Sequence, residues 1–195
     1  MNNNLNNLHS INSTIKSLQD AISLVSQKEI QDFIDLMLQK YKQKSKIFIF
    51  GNGGSAATAS HFVCDINKGV SFNFEKRFQC VSLNDNVPTM LAYANDINYE
   101  SVFEEQLRTF LTKDDMVIAI SGSGNSKNII NAIEYANSIS ATTVGFTGYD
   151  GGKLREIAKY SVNANCNDMQ ISEDIHHIVL NHITMKILKN ILTNN

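Results

Sequence analysis

The stretch Lys46-Ile47-Phe48-Ile49-Phe50-Gly51-Asn52-Gly53-Gly54-Ser55-Ala56-Ala57 limits the folds open to this chain more than any other. A short apolar run rich in β-branched and aromatic side chains reads as a buried strand. Small residues follow at once, and the sequence through Asp65 continues as a helix. Glycines let the backbone take positive φ and let a ligand come close to it. A helix start offers unpaired N–H groups and the positive end of the helix dipole, which suits phosphate. Ser55 adds a hydroxyl at the mouth. Glycine is common at such connections, so this turn by itself is equally a plain link that binds nothing.

The same design occurs twice. Asp115-Met116-Val117-Ile118-Ala119-Ile120 reads as a second buried strand and opens onto Ser121-Gly122-Ser123-Gly124-Asn125-Ser126. A helical pattern follows, with Ile129, Ile130, Ala132, Ile133 and Ala136 on one face. In a parallel sheet both turns lie at the carboxyl edge, where α/β proteins bind ligands. Their hydroxyls and free helix N–H groups form a phosphate cradle that needs neither lysine nor metal. No Gly-Lys-Ser/Thr follows the glycines, so neither turn is a Walker loop.

The rest of the chain supports an α/β reading. Leu5, Leu8, Ile15, Leu18, Ile22 and Val25, then Ile30, Phe33, Ile34, Met37, Leu38 and Tyr41, recur at helical steps over residues 1–43. One or two amphipathic helices are expected there, as an arm that packs on a partner subunit or covers its own sheet; the partner is the expectation. Further strands are expected at residues 78–83, 142–146 and 160–164. Helices are expected at 89–94, at 99–110 with Val102, Phe103, Leu107 and Phe110 on one face, after the turn at 147–152, and from about Met169 to Leu192. Alternating strands and helices predict a three-layer sandwich, a mostly parallel sheet with helices on both faces.

Composition narrows the function classes. A chain of 195 residues suits one domain with a substantial core, residues 1–43 being the helical arm and 44–195 the α/β part. The formal net charge of −2 comes with no basic block, so direct nucleic-acid binding is not indicated. No apolar run approaches membrane-spanning length. Met1-Asn2-Asn3-Asn4 lacks the layout of a signal peptide, so a cytoplasmic protein is expected. Cys64, Cys80 and Cys166 are far apart and read as reduced thiols filling the core.

Two groups of side chains can carry chemistry. His61 and Asp65 share a helix face four residues apart, which suits proton transfer, a metal site, or a plain surface pair. The last helix holds Glu173, Asp174, His176, His177, Asn181 and His182. Acids near a helix start also favour the dipole, and histidines among apolar neighbours are often buried structural groups. A functional role is favoured for His176 and Glu173 and evenly weighed for His182.

Gly51-Asn52-Gly53-Gly54-Ser55 with Ser60-His61-Phe62, Ser121-Gly122-Ser123-Gly124-Asn125-Ser126, Thr147-Gly148-Tyr149-Asp150-Gly151-Gly152 and Glu173-Asp174-Ile175-His176 together resemble the SIS (sugar isomerase) family. The nearest branch is the sedoheptulose 7-phosphate (phosphoheptose) isomerases. The resemblance implies a flavodoxin-like five-stranded parallel sheet and a homotetramer, or a homodimer, with sites between subunits. It implies a phosphosugar held by Asn52, Gly53, Ser55, Asp96, Ser121, Ser123, Ser126 and Glu173. The implied reaction converts sedoheptulose 7-phosphate to D-glycero-D-manno-heptose 7-phosphate through an enediol. The implied base is Asp65, where the isomerases have glutamate, with His61 beside it. The family's glutamine and histidine on the last helix correspond to Glu173 and Asn181, so His182 is expected to replace the lost histidine. Some members bind zinc, which here implies His61, Asp65 and Glu173, with Asn181 weakening the set. Asparagine at 181 also resembles a non-catalytic branch that associates with the bacterial replication initiator. The alternative is therefore a silent module binding a phosphosugar or such a protein partner. A dinucleotide-binding fold is a further alternative, disfavoured because the first turn lacks a complete Gly-x-Gly-x-x-Gly.

Overall fold

The helical spacing ahead of the first strand resolves into α1 (Asn2–Ser23) and α2 (Gln27–Gln43). The computed structural model describes residues 2–194, with side chains from Ser10 onward, so the side chains of Leu5 and Leu8 lie outside the described residues. Ser26 starts the second helix, because its hydroxyl accepts from the N–H of Glu29. Lys44, at φ 59°, ends it. α2 buries Phe33, Ile34, Leu36 and Met37, and Phe33 meets Phe146 edge-on at 5.1 Å. It therefore covers its own sheet, contrary to the expected partner-facing arm. α1 leaves Ile11 and Ile15 about half exposed, and Leu24 just after it is exposed too, so this part of the arm stays open to a partner.

Five parallel strands follow: β1 (Lys46–Gly51), β2 (Gln79–Ser82), β3 (Met116–Ser121), β4 (Thr142–Thr147) and β5 (Tyr160–Asn163). Their order is β2-β1-β3-β4-β5. This is the flavodoxin-like order, which places the ligand crevice where the connections diverge, between β1 and β3. The central strands read as continuous apolar runs because both faces are covered. Alternation then splits the core. Ile47, Ile49, Ile118 and Ile120 face α2, α3 (Gly54–Cys64), α8 (Met169–His177) and α9 (Met185–Thr193). Phe48, Phe50, Val117 and Ala119 face α5 (Glu104–Phe110), α6 (Lys127–Ser138) and α7 (Gly152–Ile157).

Three details depart from the sequence expectation. The helix expected at 99–110 is a 3-10 turn, Tyr99–Ser101, followed by α5; Phe110 is exposed while Val102, Phe103 and Leu107 are buried. The long C-terminal helix is continuous but passes through a π-helical segment, Ile178–Thr184, and α3 likewise runs into one at Asp65–Val70. Of the cysteines only Cys80 is core; burial pushes its thiol pKa up, while Cys64 is exposed and Cys166 lies between. α4 (Val87–Asp96) buries none of its residues and shows Val87 and Leu91 to solvent. Among the described residues no helix is long and apolar enough to cross a membrane.

The bottom of the sheet is pinned by Asp115. Its carboxylate accepts from the N–H of Lys46 at 2.8 Å, and from the N–H and hydroxyl of Thr112 at 2.9 and 2.8 Å. Asp115 itself is 4% exposed, and removing it takes the acceptor from two part-buried amide donors. Asp115→Ala is expected to lower unfolding free energy by roughly 2–3 kcal/mol, read from urea denaturation.

Candidate functional site

β1 and β3 deliver their turns to the same edge of the sheet. Gly51 closes β1 against its neighbours: a Cβ there would fall 2.6 Å from Ser55 Cβ and 2.9 Å from the carbonyl of Ile120. No side chain fits, so the first turn and the end of β3 meet backbone to backbone. Gly53 takes φ 55° as the N-cap of α3, a conformation that costs glycine little. Gly124 takes φ 66° in the second turn and packs on the carbonyl of Gly151.

Between the two turns lies a hollow of about 140 Å³. It is lined by Asn52, Ser55, Ile120, Ser121, Gly122, Ser123, Ser126, Met169 and Glu173. Neither α3 nor α6 is capped by the side chain at its N-cap, so the first N–H groups of both helices and the hydroxyl of Ser126 stay free of capping bonds. The cradle is held from behind. Asn125 donates to the carbonyl of Ser123 and accepts from the N–H of Lys153, while the N–H of Leu154 donates to the carbonyl of Gly124. The Glu173 carboxylate lies against Gly54, where a Cβ would be 2.5 Å from Oε2. A negative charge at that helix start is favoured by the dipole. The hollow thus offers hydroxyls and helix N–H groups for an anion and one carboxylate for proton transfer.

The structure brings together Asn52, Ser55, Ser121, Ser123, Ser126 and Glu173. It places the other expected residues elsewhere. Gly53 is exposed and shapes the turn rather than lining the hollow. Asp96 is exposed at the end of α4, accepting from the side chain of Asn95. His61, farther along α3, and Asp65, just past its end, form a pair 3.2 Å apart, with His61 tilted against His177 at 5.1 Å. Seven residues of helix separate His61 from Gly54, about 10 Å by the helical rise. His182 is exposed and does not line the hollow. Asn181 is buried, and neither atom of its amide has a hydrogen-bond partner.

The zinc set does not assemble within one chain. Among the described residues no three His, Cys, Asp or Glu side chains come together in a group able to hold a metal ion. The reason is spacing: Glu173 lies against the first residue of α3, while His61 stands toward its end and Asp65 opens the π-helical segment after it. The fourth place offers only the neutral amide of Asn181.

His176, favoured as functional from the sequence, is a structural group. It is 1% exposed, its Nε2 bonds the carbonyl of Thr147 at 2.9 Å, and its ring meets Phe146 edge-on. Sequence reasoning missed Asn128, Tyr99 and Met169. Asn128 was legible as a polar residue two places after Ser126 in a helix whose next positions are apolar.

Comparison with known proteins agrees with this geometry. A family model described as SIS domain matches residues 11–148. The probable phosphoheptose isomerase of Thermoplasma acidophilum is 37% identical over 143 residues, covering 73% of this chain and 78% of that protein. The phosphoheptose isomerase of Aliarcobacter butzleri is 33% identical over 168 residues, 86% of this chain and 87% of that one. The structure of a phosphoheptose isomerase from Francisella tularensis shares the fold, with a TM-score of 0.87 at 22% identity over 94% of this chain and 98% of that one. That from Neisseria gonorrhoeae gives 0.85 at 26% identity, over 96% and 98%.

Burial pushes the His176 pKa down to about 4, from an ordinary 6.5, against the smaller opposing effect of its bond to Thr147. The folded chain therefore keeps this ring neutral while an unfolded chain takes up a proton below 6.5. Its contribution to stability is whole above pH 6.5 and falls away as pH drops toward 4, by roughly 3 kcal/mol. In His176→Gln, urea midpoints measured across that window should fall less steeply than in the parent.

Proposed function

The chain belongs to the SIS domain family, and from that premise we propose that it is a phosphosugar isomerase acting on sedoheptulose 7-phosphate or a close relative. One observation carries the reading: Ser55, Ser121, Ser123 and Ser126 share one hollow with Glu173. The serine hydroxyls and the free N–H groups of α3 and α6 take the phosphate. The carbon chain then lies along the wall that Glu173 forms. Ketose–aldose exchange needs a base to remove the proton from the carbon beside the carbonyl. The enediol is then reprotonated on the neighbouring carbon, while the hydroxyl proton moves between the two oxygens. Glu173 is the carboxylate in place for one of these transfers.

His61 and Asp65 remain candidates for the others, supplied to the hollow of a second copy. Support for such an assembly comes from α4, whose Val87 and Leu91 are 55% and 64% exposed, and from Ile97 just after it at 53%. A homotetramer with shared sites fits these uncovered faces. Zinc is not needed for any step drawn here.

A second reading, a binding module without turnover, is favoured by Asn181 and His182. The first replaces the family's histidine with a buried amide, and the second is exposed and does not line the hollow.

The two are separated by incubating the purified chain with sedoheptulose 7-phosphate, with and without added zinc, and following aldose formation. Turnover is expected. Glu173→Ala, which removes the carboxylate without restoring the amide found in the isomerases, should lower kcat by about 10²–10⁴. Ser55→Ala and Ser121→Ala should each raise KM by about tenfold with smaller effects on kcat. Binding of the sugar phosphate without turnover in either condition selects the silent module.

A further inference from the structure

The side chain of Asn52 stands at the wall of the serine hollow with most of its hydrogen-bonding capacity already taken. Its Oδ1 accepts from Asn128 Nδ2 at 2.9 Å and from the Tyr99 hydroxyl at 2.9 Å. Its Nδ2 donates to Asn128 Oδ1 at 3.0 Å. An amide oxygen has two lone pairs and an amide nitrogen two protons. The oxygen of Asn52 is therefore saturated, and a single N–H is left over. Asn128 is 3% exposed on the first turn of α6, so the amide pair crosses from the turn after β1 to the helix after β3. Tyr99 reaches in from the 3-10 turn after α4, and its own residue is 54% exposed.

We infer that Asn128 and Tyr99 are positioning residues of the site, and that together they make Asn52 a donor-only contact for the ligand's phosphoryl oxygen. This rests on the cradle reading above. A free asparagine can turn either end of its amide to a ligand. Here Asn128 holds both ends of the amide, and the tyrosine hydroxyl donates to the remaining lone pair of Oδ1, the one a ligand hydroxyl would otherwise reach. Only an acceptor can then be read at this wall. The same pair fixes the spacing of the two turns, since it joins them by side chains where Gly51 joins them by backbone. A shorter hydroxyl at 128 could not return both bonds, and an aspartate there would keep the acceptor but lose the donor.

The test is a calorimetric titration of inorganic phosphate into the parent chain, Tyr99→Phe, Asn128→Ala, Asn52→Ala, Asn52→Asp and the double variant Asn52→Ala/Asn128→Ala. Asn128→Ala is expected to weaken phosphate binding by about tenfold and Tyr99→Phe by a few-fold, with the melting temperature of Tyr99→Phe unchanged. Asn52→Asp, which has the shape but no proton to donate, should bind more weakly than Asn52→Ala. The double variant should bind no more weakly than Asn52→Ala, because Asn128 acts through Asn52. Unchanged affinity in both Tyr99→Phe and Asn128→Ala overturns the inference, as does full additivity in the double variant. If Asn128→Ala does not fold, Tyr99→Phe and Asn52→Asp decide the matter. A parent chain that takes up no phosphate removes the cradle itself and this inference with it. A parent that binds, beside variants that bind equally, removes the positioning role alone.

Discussion

At the end of β1 the backbone of Gly51 lies so near Ser55 and the carbonyl of Ile120 that there is no room for even a methyl group. That contact decides how far apart the two strand exits stand. With a side chain there, β3 or α3 would have to shift, and the hydroxyls of the first turn would leave those of the second. The hollow, the two uncapped helix starts and the Asn52–Asn128 pair all depend on this approach. It is also why the site is small and polar: it is built from turn backbone and short side chains rather than from a cleft between domains.

The site uses the same physics twice. Each turn ends a strand buried on both faces, so the strand is rigid, and each begins a helix whose first N–H groups have no intrahelical partner. In most proteins a side chain supplies the missing acceptor at that point. Here the N-cap positions are a glycine and a serine that makes no capping bond. Leaving both ends open costs some helix stability, and a bound anion would return it. The Glu173 carboxylate, lying against the first residue of α3, already occupies part of that field.

The buried polar groups sort into those that hold the frame and those that serve the hollow. Asp115 ties the lower ends of β1 and β3 together, and His176 ties α8 to the end of β4. Asn181 belongs to neither group, with an amide shielded from water and bonded to nothing described. It lies in the π-helical segment after α8, where wider winding changes which side chains share a face. The position eight residues after Glu173 on a regular α-helix already stands about 80° round from it, and the wider winding changes that angle again. Asn181 is buried in the interior while Glu173 lines the hollow.

The amino-acid sequence alone determined the sheet, its parallel sense, the two serine turns and the anion they suit, because strands buried on both faces and glycine turns leave a local signature. Most of the hollow's lining was legible for the same reason. What it did not determine was which distant side chains meet. His61 and Asp65 were correctly paired by helical spacing, yet that Glu173 meets the first residue of α3 while His177 meets His61 follows from how α8 packs on α3. His176 read as chemistry although its apolar neighbours also allowed a buried structural group, and its bond to the carbonyl of Thr147 at the end of β4 decides for packing. Asn128 and Tyr99 reach Asn52 across 76 and 47 residues of chain. Only the order of strands and the crossing of helices could bring them there, because contacts between remote residues are set by packing of the whole core and not by any local pattern.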